Sequence, residues 1–403
     1  MGFWLYNFFT ISWFTHLTAR IPALGLIRFD LLLVSILFVI AMLSPPDPEA
    51  PPEDNKAGRL ILYILLFSLV TIPFVEWPGS VVKRGIPQFI KAVVFYFFTV
   101  KFIRTESQLK TFVVIFLAAQ SFRVLEPLYL HVTQGYWGSA ASMANWETLD
   151  RLSGSPYDVV NPNGLAFIVD MLLPFYLFLA PLRASSLVLS AVLVPAFIYA
   201  LILTGSRSGF LGLLTICALT VYKSKHKLLL SLLFLVGLVF FSGQLSSDQL
   251  DRYLSIFSKN TKNAATAVGR FTVVQDDFRV AMRRPLFGHG LGTSKEANAN
   301  FGIHDQPSHN LYVEILQEIG VIGLVLFLFY LKEVFRSFFK LNKLLQEEGI
   351  GISTYSKNLW TALQVFLGMN FLFSFASYGL SGPEWYLFPG LVQVLDTLNR
   401  KSA

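Results

Sequence analysis

The chain has 403 residues, 54% hydrophobic and only 14% charged, with a mean hydropathy of +0.56, which excludes an ordinary soluble domain and points to a polytopic membrane protein. The formal net charge of +7 does not indicate a nucleic-acid partner, because the basic residues are scattered through short loops between apolar runs. The single cysteine, Cys217, excludes a disulfide framework and a cysteine-based metal site.

Runs apolar enough to cross a bilayer are expected at 3–18, 29–44, 58–75, 87–104, 109–132 and 163–181, then at 185–204, 206–222, 226–242, 311–333, 358–378 and 383–398. The expected fold class is therefore an all-α integral membrane protein, a single polytopic domain over 1–403 with about 12 transmembrane helices. The apolar N-terminus lacks a basic n-region and a small-residue cleavage site, so it reads as retained. With that terminus inside, Lys101, Arg104, Lys110, Arg183, Lys223, Lys227, Lys332, Arg336, Lys340, Lys343, Lys357, Arg400 and Lys401 fall on the cytoplasmic side. The positive-inside rule is then satisfied, and both termini are cytoplasmic.

Two outside loops are long: a smaller one at 133–162 and a large, partly helical one at 243–310 before the tenth span. The second is too polar to be embedded and too long for a mere connector, so function is expected there. The Pro- and acid-rich stretch 44–55 reads as a cytoplasmic linker.

Candidate chemistry follows in chain order. In the fifth span Arg123 and Glu126 are three apart, placed either to neutralise each other or to line a cavity. Arg151 and Asp158-Val-Val-Asn-Pro-Asn163-Gly form a turn-rich approach to the sixth span. Arg207, in Thr204-Gly-Ser-Arg-Ser-Gly209, breaks two apolar runs; it is either a site residue or a snorkelling boundary arginine. Arg207 and Arg270 together would suit a diphosphate, since planar guanidinium forks bind phosphate oxygens bidentately and stay charged. Arg279, Arg283 and Arg284 are the other arginines able to take that second place.

No metal requirement is expected. The only adjacent acidic pair in the large loop, Asp276-Asp277, would point about 100° apart on a helix and share an ion poorly. His289, His304 and His309 lack the short helical spacing of a zinc set. Gly288-His-Gly-Leu-Gly292 follows no strand and reads as a tight turn rather than a nucleotide loop. His309 sits where the loop becomes the tenth span, at the outer boundary. Its reference pKa of about 6.5 lets a neutral imidazole take a proton from a hydroxyl, and the alternative is a helix-capping or hydrogen-bonded histidine. Asn310, Glu314 and Glu318 give that span a polar upper face, able to orient His309, to pair with Arg207, or to bond between helices.

Taken together, Gly205-Ser-Arg207, Asn161-Pro-Asn-Gly164, Gly269-Arg270, Pro285-Leu-Phe-Gly-His-Gly-Leu-Gly292 and Ser308-His309-Asn310 resemble the O-antigen ligase and polymerase superfamily, over about 150–335. The resemblance implies an inverting, metal-independent glycosyltransferase of the bacterial inner membrane, without cofactor, whose site faces the periplasm. It implies an undecaprenyl-diphosphate-linked glycan as donor, Arg207 and Arg270 on the diphosphate, and His309 activating the acceptor hydroxyl. The acceptor is lipid A core for a ligase, the reading placed first, or the growing glycan for a polymerase. A lipid-linked sugar transporter or flippase is the alternative of another class; transporters favour repeats and midplane sites, whereas here the polar candidates crowd the outer boundary.

Overall fold

The computed structural model describes residues 1–45, 55–138, 150–243, 245, 247–255, 264–302, 305–346, 352–377 and 379–401, with the side chains of 233, 238, 240, 241, 248, 264–271 and 346 left undescribed. Among these residues the chain is helical and no strand occurs. The helices run α1 Gly2–Phe14, α2 Phe29–Leu43, α3 Lys56–Val70, α4 Ile86–Phe102, α5 Glu106–Gln134, α6 Pro162–Leu179, α7 Ala184–Thr204, α8 Arg207–Lys223 and α9 Lys227–Ser242. The segment 243–310 carries α10 Ser247–Leu254, α11 Ala264–Ala281 and α12 Ser294–Phe301. The chain then forms α13 Leu311–Gln346, α14 Thr354–Phe373 and α15 Glu384–Lys401.

Each apolar run named above overlaps a helix, several of them running past its end. Among the described residues, five helical stretches are long and apolar enough to cross a membrane: Pro78–Phe102, Glu106–Gln134, Pro162–Leu182, Ala184–Thr204 and Leu311–Leu345. The all-helical membrane class therefore holds, while the figure of twelve crossings goes beyond these five.

Local signals set the helix ends. Asn161 caps α6, its Oδ1 accepting the Gly164 N–H at 2.8 Å with Pro162 in the first helical position. Gly205 (φ 55°) closes α7 in the left-handed region that favours glycine, and Ser206 Oγ then caps α8 by accepting the Gly209 N–H at 3.2 Å. Helix α6 packs against α7, α8 and α14, while α15 lies along α4 and α13 along α3. Helix α1 joins through aromatic stacking, Tyr6 on Phe112 at 5.1 Å, with the Tyr6 hydroxyl 2.7 Å from Thr99 Oγ1.

Two expectations are corrected. Arg123 and Glu126 do not neutralise each other: Glu126 pairs with Arg20, and Arg123 holds Asp158 with Nε–Oδ2 at 2.6 Å and Nη2–Oδ1 at 3.1 Å. On a helix, residues three apart meet only if no better-placed partner is near; here the segment after α1 brings Arg20 and the segment before α6 brings Asp158. The tenth span is also not one continuous helix. Helix α13 breaks at Gly320 (φ 67°, ψ −171°) into a half-helix over 311–319 and a long helix over 321–346.

The physical reason for the break is the glycine-rich run before it. His289 N–H donates to Gln317 O at 2.7 Å, Gly290 N–H to Glu318 O at 2.9 Å, and Val321 N–H to Pro285 O at 2.7 Å. The run 285–292 thus supplies the partners that an interrupted helix loses, which is what makes such a break tolerable. It does more than turn the chain.

Candidate functional site

A cavity of about 710 Å³ opens where α4, α5, α6, α13, α14 and α15 converge. Its walls include His309, Glu314, Glu318, Arg123, Lys91 and Glu384, with Asn161, Asn163 and Ser208 from the α6 and α8 starts. Mixed apolar walls with a few convergent polar groups are the usual form of a small-ligand or substrate site.

The half-helix 311–319 presents His309 at its N-terminal end. Asn310 is the cap, its Oδ1 accepting the N–H groups of Tyr312 (3.1 Å) and Val313 (3.2 Å), while its Nδ2 donates to Phe375 O at 3.2 Å. The capping role considered for His309 thus belongs to its neighbour. His309 is half-buried, with Nε2 3.2 Å from Gln306 Oε1.

Glu314 and Glu318 do not pair with Arg207. Glu314 accepts the N–H groups of Gly379 (2.8 Å) and Leu380 (3.2 Å), and Glu318 accepts those of Gly292 (2.7 Å) and Ser294 (3.4 Å). The two carboxylates therefore tie the half-helix to the connection before α15 and to the loop before α12. Backbone N–H groups aimed at a carboxylate make charge-assisted bonds, stronger than neutral ones.

Arg207 opens α8, 8% exposed, and its Nη1 donates to Ser255 Oγ at 2.9 Å. It is not among the cavity-lining residues, although its neighbour Ser208 is. The junction beneath it is built by Asn163, whose Oδ1 accepts from Arg151 Nη2 at 2.8 Å and from Ser206 Oγ at 2.9 Å. The Asn-Pro-Asn-Gly motif is thus architectural: one asparagine caps α6 and the other staples it to α8.

Arg270 lies on α11, but its side chain is outside the described residues. Arg279 is exposed and bonded to Asp276 Oδ1 at 2.9 Å, away from the cavity lining. Arg283 covers the Phe301 ring at 4.9 Å, and Arg284 pairs with Glu76 at 2.6 Å. Among the described residues no group of three or more His, Cys, Asp or Glu is placed to hold a metal ion. His304, one member of the imagined zinc set, lies outside those residues.

His289 is structural. It is buried, its Nε2 lies 3.0 Å from Val280 O, and its ring lies 5.7 Å from Trp77 and 5.6 Å from Phe301, centre to centre. Burial, only partly opposed by the Val280 carbonyl, pushes its pKa below the usual histidine value. A group whose folded pKa is depressed contributes stability above its unfolded pKa, here about 6.5, and that contribution is lost as pH falls. We expect limited proteolysis of 282–302 to be faster at pH 5 than at pH 7, and His289→Gln to remove most of the difference. Equal cleavage rates at both pH values in the wild type would refute this.

Lys91 was missed by the sequence reading. It lies inside the apolar run 87–104, lines the cavity, and sets its ammonium over the Trp13 ring at 5.7 Å. An ionisable side chain within an apolar span is itself a functional signal and could have found it. Glu384, at the start of α15, also lines the cavity and was passed over because the last span read as a plain apolar helix.

Comparison with known proteins gives one family match: residues 167–328 match the family described as O-antigen ligase. No curated protein matches the chain. The matched stretch runs from within α6 to within α13 and contains Arg207, Arg270, His309, Glu314 and Glu318.

Proposed function

We propose that this protein, whose residues 167–328 match the family described as O-antigen ligase, moves a glycan from undecaprenyl diphosphate to an acceptor sugar on the periplasmic face of the bacterial inner membrane. The observation that carries this reading is the cavity at the start of the half-helix, where His309 shares its walls with Lys91 and Arg123. The acceptor hydroxyl oxygen attacks the anomeric carbon from the face opposite the diphosphate, and His309 takes the hydroxyl proton. The bond from anomeric carbon to diphosphate oxygen breaks, its electron pair leaves with the diphosphate, and the sugar is inverted. Fixed positive charge stabilises the oxygen that leaves.

Arg207 and Arg270 are the proposed diphosphate ligands, and Lys91 is added as a third because it lines the cavity. For Arg207 the support is its place at the N-terminus of α8, one residue before Ser208 in the cavity wall. Asn310, Glu314 and Glu318 hold the half-helix behind His309. No metal or other cofactor is required in this reading.

The test is transfer by the purified protein in lipid vesicles, with polyprenyl-diphosphate-linked glycan and candidate acceptors, in the presence of a chelator. Donor translocated across the vesicle membrane without new glycosidic bonds would mean a flippase and end the reading; transfer that stops with chelator and returns with a divalent ion would end its metal-independent form. In the same assay Arg207→Ala is expected to raise the donor KM at least about tenfold, roughly one charge-assisted contact, with Arg207→Lys recovering only part because a point charge replaces a bidentate fork. Wild-type donor use by both variants would count against the diphosphate role.

The acceptor proposed first is lipid A core. The growing lipid-linked glycan is the alternative, using the same donor chemistry. Deleting the gene separates them: undecorated lipid A core with intact polymer on its carrier means ligase, and single repeat units alone mean polymerase.

A further inference from the structure

The three carboxylates of the cavity are not equivalent. Glu314 and Glu318 are each occupied by two backbone N–H groups. Glu384 sits in the first turn of α15 and lines the same cavity; its own backbone N–H bonds to it, and among the described residues no side chain and no backbone group of another residue donates to it. Its burial works against the charged form, which its own N–H and the Arg123 guanidinium favour, and Arg123 is itself held by Asp158 at 2.6 Å and 3.1 Å. Elsewhere in the cavity wall Ser377, Ser381, Asn370 and Trp385 add hydroxyl, amide and aromatic groups.

An ionised carboxylate only accepts hydrogen bonds, so its partner must present donors. A diphosphate presents none and would be repelled. An anionic group left open in a site that must also hold a diphosphate therefore belongs to the other substrate. Resting on the transferase reading above, we propose that Glu384 is the acceptor-recognition residue, binding an uncharged, hydroxyl-bearing sugar through two of its hydroxyl groups. It touches the substrate without taking the transferred proton, which remains with His309. Sites built to bond a hydroxyl discriminate strongly against analogues that lack it, because the buried acceptor is then left unpaired. A sugar carrying its own carboxylate is excluded more strongly, since two like charges would face each other.

The experiment uses the full-length protein in vesicles, lipid-linked donor extracted from the membranes of the producing cell, and two fluorescent alkyl glycosides as acceptors, one ending in glucose and one in glucuronic acid. Wild type is expected to prefer the neutral acceptor by at least tenfold in kcat/KM. Glu384→Gln, which keeps the shape and removes the charge, is expected to raise KM for the neutral acceptor about tenfold. Its kcat and donor KM should stay within about twofold, and its use of the glucuronyl acceptor should improve several-fold. An unchanged acceptor KM and preference overturns the proposal, as does a hundredfold loss of kcat at unchanged acceptor KM, which would place Glu384 in the chemical step. Absence of transfer to either acceptor by wild type sinks the transferase reading and this proposal with it, whereas transfer by wild type with Glu384→Gln indistinguishable sinks only the role of Glu384.

Discussion

Substituting His309 with alanine is expected to lower kcat for glycan transfer by about 10²- to 10⁴-fold, the range a positioned general base supplies. The fold should survive, because the half-helix beginning at 311 is capped by Asn310 and held from behind by Glu314 and Glu318, not by the imidazole. Donor KM should change little, since the proposed diphosphate ligands lie elsewhere. Gln306 Oε1, 3.2 Å from Nε2, is placed to fix the ring orientation, so Gln306→Ala should reproduce a smaller part of the defect. Single-turnover transfer at the wild-type rate by His309→Ala would remove the imidazole from the mechanism.

The second large effect is structural. Gly320→Ala is expected to destabilise the protein by roughly 3 to 5 kcal/mol, the sum of a backbone conformation that is essentially glycine-only and an overpacked contact. Gly320 has φ 67° and ψ −171°, and an added Cβ would stand 2.3 Å from Leu286 O, a backbone atom with no side-chain freedom to give way. The strain would push the run 285–292 off the break and leave Gln317 O and Glu318 O without their donors. Gly237→Ala in α9 is the control, since a Cβ there meets nothing within 4 Å. The check is thermal melting in detergent with transfer activity alongside. Equal melting temperatures for the two variants would mean that the interruption at Gly320 is not strained as described.

Helices were legible wherever an apolar run carried its own stop signals. Asn161 with Pro162 and Gly205 with Ser206 fix ends that need no tertiary information, and α6, α7 and α8 begin and end within two residues of the reading. The break at Gly320 was not legible, because the apolar run continues on its C-terminal side without a stop signal and glycine is tolerated in membrane helices. What interrupts it is a run some 30 residues earlier whose N–H groups compete for the same carbonyls. The ion pairs failed to read for the same reason: Arg123 and Glu126 look like partners along one helix, and only the packing of α1 and the segment before α6 shows that each has a better one. Of the candidate site, His309, Glu314, Glu318 and Arg123 were named in advance and the structure brings them to one cavity. Arg207 is packed just outside its wall and Arg279 is turned to Asp276. Lys91 and Glu384 were passed over because each sits near the start of a run read only for its apolar length, although a charge in such a run is itself a signal.

The cavity wall is drawn from almost the whole length of the chain, and the family match is not. Trp13, Lys91 and Arg123 precede residue 167, and Asn370 and Glu384 follow residue 328. The matched stretch brings the histidine and its supports, while the flanking helices bring two of the cations and the third carboxylate. Grafting 167–328 onto a foreign membrane scaffold is therefore expected to carry His309 without Lys91, Arg123 and Glu384 and to give no transfer, and two co-expressed fragments split in the connection after α13 should regain function only if α4 and α15 find each other again.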